Sequence, residues 1–202
     1  MDDGHPPQPW PLAAGEGLRD QLLAAYADPA RRYHDVRHLG GVLSRLEELA
    51  AAGTTYDRDP VLLAAWFHDA IYDGERDAEE RSAAWAEEAL PPLVPSRTVV
   101  EVARLVRVTE THDPADDDLN GCALSDADLG VLAIEEPLYE EYVAAVRAEY
   151  VHLDDEAFRD GRSAFLTKLA ERQRIFRTDH AGRQWEDRAR RNIERELARL
   201  GG

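Results

Sequence analysis

Three short stretches of the chain hold residues whose types and spacing suit chemistry: Tyr33-His34-Asp35-Val36-Arg37-His38, Trp66-Phe67-His68-Asp69 and, much later, Asp126-Ala127-Asp128. Imidazoles and carboxylates brought together from separate helices are what a divalent cation needs to be held firmly while positions stay open for water and substrate. The chemistry such a set supports is metal-assisted hydrolysis. His34 and His38 lie four residues apart, so one helical face can bring both to one site, or the pair can simply pack or cap locally. His68-Asp69 ends an apolar run. A buried carboxylate beside a buried imidazole costs several kcal/mol, about the worth of several hydrogen bonds, unless it is paired or metal-bound. A purely structural helix terminus is the alternative.

The elements that must position these residues read as helices. Residues 1 to about 15 include His5-Pro6-Pro7-Gln8-Pro9-Trp10-Pro11, too many prolines for a helix, and are expected to form a loose lead-in to a domain spanning 16–202. Leu18, Leu22, Leu23 and Tyr26 mark a first amphipathic helix, and Leu39, Val42, Leu43, Leu46 and Leu49 a second that begins near Asp35. Asp59-Pro60 is expected to cap and open a third, almost wholly apolar helix that delivers His68 and Asp69. A capping box of Asp77 and Glu80 is expected to start a fourth that Pro91-Pro92 stops, and Ser96 to cap a fifth that ends at Thr109–Pro114. A sixth is expected over Leu124–Ile134 carrying Asp128, a seventh over Tyr139–Tyr150, an eighth over Phe158–Phe176 and a last over Trp185–Leu200. No strand pattern or internal repeat is evident. The expectation is an all-α, single-domain multi-helix bundle.

Composition narrows the setting. The chain's 202 residues suffice for one sizeable domain. Its formal charge of −17, from 41 acidic against 24 basic residues, opposes the counterion-release binding that a nucleic-acid backbone rewards, so no nucleic-acid partner is expected. The single cysteine, Cys122, leaves no intramolecular disulfide. No basic region joined to an apolar run stands near the N-terminus, and no apolar stretch approaches a membrane span. A cytoplasmic protein without a membrane partner is the expectation.

The histidine motifs resemble those of the HD-domain superfamily of metal-dependent phosphohydrolases, whose pattern is His, then His-Asp, then a distant Asp on successive helices. Tyr33-His34-x-x-x-His38 and Ala127-Asp128-Leu129 are similar to elements of the cyclic-nucleotide phosphodiesterases of that superfamily. More narrowly, the chain from about Ala24 to Leu200 resembles a bacterial group of predicted HD-superfamily hydrolases through Trp66–Asp73, Ser125–Leu129, Arg147-Ala148-Glu149-Tyr150, Gly161-Arg162 and Ala189-Arg190-Arg191-Asn192. That group's Asn-Glu before the fourth helix is here Ala78-Glu79.

The resemblance implies an HD-type helical fold in which His38, His68, Asp69 and Asp128 ligate one divalent metal ion, with manganese, iron, cobalt, nickel or zinc all compatible. It implies hydrolysis of a small phosphate ester, with nucleotides as the class that the superfamily suggests, by metal-bound hydroxide, with His34 protonating the leaving group. Asp126, two residues from Asp128, is expected to cap or orient. Glu79 is a candidate for positioning water, though acids favour a first helical turn in any case. His112 is a candidate substrate contact or weak second-metal ligand, or a histidine that meets carbonyls at a helix end. Arg147, Arg162 and Arg190 are candidate phosphate grips, since the guanidinium fork matches phosphate oxygens, although most arginines in so acidic a chain pair with carboxylates. His5, His152 and His180 are read as surface residues. Two further readings stand beside the hydrolase: an HD-type di-iron oxygenase, for which the chain is at least one histidine short, and a non-catalytic metal- or ligand-binding sensor.

Overall fold

The computed structural model describes residues 10–74 and 77–201. Most of the proline-rich lead-in therefore lies outside the described residues. From Trp10 to Gly15 the chain is non-helical, and the Trp10 ring packs edge-on against Trp66 with centroids 5.2 Å apart.

Ten α-helices follow among the described residues: α1 (Glu16–Tyr26), α2 (Val36–Ala51), α3 (Arg58–Phe67), α4 (Ala78–Ala89), α5 (Ser96–Val108), α6 (Leu119–Leu129), α7 (Glu136–Glu149), α8 (Asp155–Ala170), α9 (Asp179–Gln184) and α10 (Glu186–Leu200). A 3-10 turn, Gly130–Ala133, continues α6. No strand occurs among the described residues, and the fold is an all-α bundle. No helix among them is long and apolar enough to cross a membrane.

The apolar run of α3 explains the architecture. Every residue from Val61 to Phe67 is buried, so this helix has no solvent face and must be surrounded; α2, α4, α5 and α6 pack around it. On α2 the buried stripe His38, Leu39, Val42, Leu43, Leu46 and Leu49 follows the helical period, so His38 faces inward with the leucines. Asp35 fixes where α2 starts, its carboxylate accepting the backbone N–H groups of Arg37 and His38. Thus the two histidine motifs end up at neighbouring helix ends.

Several expected boundaries are corrected. α3 starts at Arg58, so Pro60 stands inside its first turn and Asp59 does not cap it. Asp77 sits in the left-handed region at φ 63° and its side chain caps nothing, while Glu80 is drawn to the Arg107 guanidinium of α5 at 2.6 Å; the capping box does not form. Pro95, not Ser96, is the N-cap of α5. The sixth helix begins at Leu119, where the Asp118 carboxylate accepts the Gly121 N–H, and it tightens to 3-10 form at Gly130. A Cβ at Gly130 would lie 2.4 Å from Cδ of Arg45, so any larger residue there would have to displace the Arg45 side chain.

The eighth helix ends at Ala170 instead of reaching Phe176, and α9 follows separately. Beyond that end the N–H groups of Ile175 and Phe176 go to the Glu186 carboxylate, and those of Arg177 and Thr178 go to Asp126, so these four donors are withheld from helical carbonyls.

Candidate metal centre

The start of α2, the end of α3 and the end of α6 converge on one point. His38 Nε2 and His68 Nε2 are 3.0 Å apart, and each lies 3.1 Å from Asp69 Oδ2. His38, His68 and Asp69 thus form a group that can hold a metal ion. Asp128 Oδ1 joins them at 3.2 Å from His38 Nε2 and 3.8 Å from His68 Nε2.

The donor set fits a cation on two counts. A cation about 2.1 Å from each of two donors at right angles separates those donors by about 3.0 Å, which is the spacing of the triangle here. The ring orientations agree. The backbone oxygen of Ala65 accepts from His68 Nδ1 at 2.7 Å, and Tyr33 Oη meets His38 Nδ1 at 3.0 Å, so in both rings Nε2 is the nitrogen that faces the carboxylates and that a cation would engage. Two lone pairs and two carboxylates in a buried space repel one another unless protons or a cation lie between them.

The titration behaviour of the metal-free cluster follows. Burial works against charge on His68, but Asp69 and Asp128 outweigh it and push the imidazole up to about 9. His38 is raised against the same burial by the same two carboxylates. Burial likewise opposes ionisation of Asp69 and Asp128, yet the imidazoles, His68 foremost, hold both below the ordinary carboxylate range.

His112 is brought in beside them. Its Nε2 is 3.6 Å from Asp128 Oδ2, the oxygen turned away from His38, and burial lowers its pKa. It reaches that place through a left-handed backbone, φ 49°, and the Arg172 guanidinium holds its carbonyl oxygen. Glu79 lines the same cavity, where burial raises its carboxyl pKa.

His34 precedes α2 instead of sitting on its first turn. Its Nδ1 is 2.6 Å from Glu149 Oε2 at the end of α7, while Glu149 Oε1 accepts the backbone N–H groups of Arg32, Tyr33 and His34, each at 2.8 Å. Burial would raise the Glu149 pKa; the His34 ring and these N–H groups take it down to about 2. The ring of Tyr72 stacks on His34 at 3.9 Å and completes its seat.

Sequence reasoning passed over Glu149, although it lies in the same tetrapeptide as Arg147. It also passed over Arg31, whose buried guanidinium donates to the carbonyl oxygens of His34, Asp69 and Ala70 and so ties the first motif to the second. Tyr26 adds to this clamp by accepting the Asp69 N–H.

The candidate arginines divide. Arg147 is spent on the carbonyls of Tyr150 and Leu153 and on Asp155, and Arg190 on Glu186 and the carbonyls of Ala170, Arg172 and Gln173; neither lines the cavity at the cluster. Arg162 does line it, paired with Glu196 at 2.7 Å. Asp126 caps, holding the Arg177–Thr178 turn, and burial pushes its carboxyl up to about 6 in spite of those donors. His180 pairs with Glu48, His152 packs beside Gly74 and Tyr150, and His5 lies outside the described residues.

A cavity of about 420 Å³ opens from the cluster, with Asp69, Asp128, His34, His112 and Glu79 at that end. This is the size range of small-molecule sites. Comparison of the chain with protein-family models, with curated proteins and with solved structures finds no match in any of the three.

Proposed function

We propose that the protein is a metal-dependent phosphohydrolase acting on a small phosphate ester. The observation that carries this reading is the convergence of two imidazole Nε2 atoms and two carboxylates beside a cavity that also receives a carboxylate-oriented histidine. His38, His68, Asp69 and Asp128 would hold one divalent cation, of a type left open by mixed nitrogen and oxygen donors. Such an ion supplies Lewis acidity, lowering the pKa of water and withdrawing charge from a phosphoryl oxygen.

The rest is done by the chain. Glu149 takes the Nδ1 hydrogen of His34, which leaves Nε2 as the nitrogen free to serve the cavity. A doubly protonated His34 carries its transferable proton on Nε2 and gives it to the departing ester oxygen. Three backbone N–H donors fix the Glu149 carboxylate, Tyr72 fixes the ring plane, and Arg31 fixes the His34 loop against Asp69, so this proton is held in place before substrate arrives. Glu79, its carboxyl raised by burial, is suited to accept a hydrogen bond from water at the same end of the cavity.

The test is the metal content of protein purified without added metal, read together with phosphate release from a panel of esters. About one equivalent of a divalent metal, and release that disappears with the metal in His68→Ala, is the expected result. Metal-loaded protein that releases phosphate from no ester would overturn the reading. Two iron ions per chain with oxygen consumption would instead favour the oxygenase, toward which the placement of His112 against the second oxygen of Asp128 points.

A further inference from the structure

The cavity's lining is of two kinds. Beside its ionisable groups it presents a broad carbon surface: Leu132 from the 3-10 turn, the ring of Tyr142 and Val146 from α7, Phe158 and Phe165 from α8. Among the described lining residues the one guanidinium is Arg162, and it presents little charge. Its side chain is 8% exposed and already donates to Glu196 and to the hydroxyl of Tyr142. Glu79 and Glu110 meanwhile add two carboxylates to those of Asp69 and Asp128.

These features select among esters. A triphosphate chain would pass four carboxylates with its own negative charge poorly compensated, whereas an apolar group would exchange water for carbon along α7 and α8. The geometry points to a substrate with a single phosphoryl group on an uncharged apolar or aromatic alcohol, its carbon body seated against Tyr142, Val146, Phe158 and Phe165. The inference rests on the hydrolase reading above. The step balances with water alone: a water oxygen bonds to phosphorus, the ester P–O bond breaks, the alcohol leaves with the proton from His34, and of the two water protons one stays on the phosphate while the other restores His34.

The experiment compares kcat/KM of the metal-loaded protein for 2-phenylethyl phosphate, glycerol phosphate and ATP, the first two having alkoxide leaving groups of similar basicity. The phenylethyl ester is expected to be favoured over both by roughly 10–100-fold, the worth of burying one aromatic ring. Phe165→Ala, or Phe158→Ala where the first variant does not fold, is expected to shrink that preference several-fold. Binding of 2-phenylethylphosphonate and methylphosphonate, by calorimetry, separates this inference from the hydrolase reading. Preference for the phenylethyl compound in binding with no hydrolysis of any ester would support the ligand class and overturn the hydrolase. Hydrolysis of glycerol phosphate or ATP as efficient as that of the phenylethyl ester would overturn the ligand class and leave the hydrolase standing, and equal binding of the two phosphonates would overturn the ligand class alone.

Discussion

Glu149 stands 115 residues from His34 in the chain, yet its carboxylate takes both the ring Nδ1 and the backbone N–H of that histidine. One oxygen sets the loop and the other sets the ring. A histidine so held has one nitrogen committed and one available, which is the arrangement a proton donor needs.

Glu149→Gln keeps an acceptor for the three backbone donors but removes the negative charge beside the imidazole. The expected outcome is a folded protein with its metal content unchanged and kcat lowered about 10–100-fold on alkyl phosphates, measured by phosphate release. Loss of the metal in this variant would show that Glu149 supports the cluster instead of the proton.

His34→Ala is expected to retain the metal and to lose about 10²–10⁴-fold in turnover on alkyl esters. An activated aryl phosphate, whose phenolate departs without a proton, should lose far less. Equal losses on both substrate types would assign His34 to substrate positioning.

Metal binding to the cluster must displace protons, because the metal-free His68 is pushed up to about 9 by Asp69 and Asp128. At pH 7.5 binding should release at least one proton, counted by calorimetry in two buffers of different ionisation enthalpy. Apparent affinity should rise roughly tenfold per pH unit and level off above about pH 9. The sign for stability is opposite. A histidine raised on folding stabilises the metal-free protein fully below its unfolded pKa of about 6.5, and this contribution is lost as pH rises through about 9. Metal-free protein should therefore lose denaturation midpoint over that window while metal-loaded protein does not.

Asp126→Ala and Asp128→Ala separate two carboxylates that stand two residues apart. Removing Asp126 leaves the buried turn at Arg177 and Thr178 without its acceptor and should cost about 2–4 kcal/mol of stability with metal retained. Removing Asp128 should weaken or abolish metal binding. The two measurements are chemical denaturation and metal analysis.

The sequence by itself determined the helical class and the burial of α3. Those properties are local: apolar residues repeating at the helical period, and an apolar run too long for any solvent face. His38, His68, Asp69 and Asp128 were legible as a set only through the resemblance of their motifs. Tertiary structure decided the rest. Nothing near Glu149 marks it as the partner of His34, and nothing near Arg31 marks it as the clamp between two motifs, since each pairing exists only once α7 and the loop before α2 meet in space. The same holds for the arginines. Their side chains are chemically alike, and only packing spends Arg147 and Arg190 on carbonyl oxygens while Arg162 comes to line the cavity. Backbone beyond a helix end falls under this rule as well: past α8, Asp126 and Glu186, from other elements, capture the donors of Ile175 to Thr178 that the local sequence would have given to a helix.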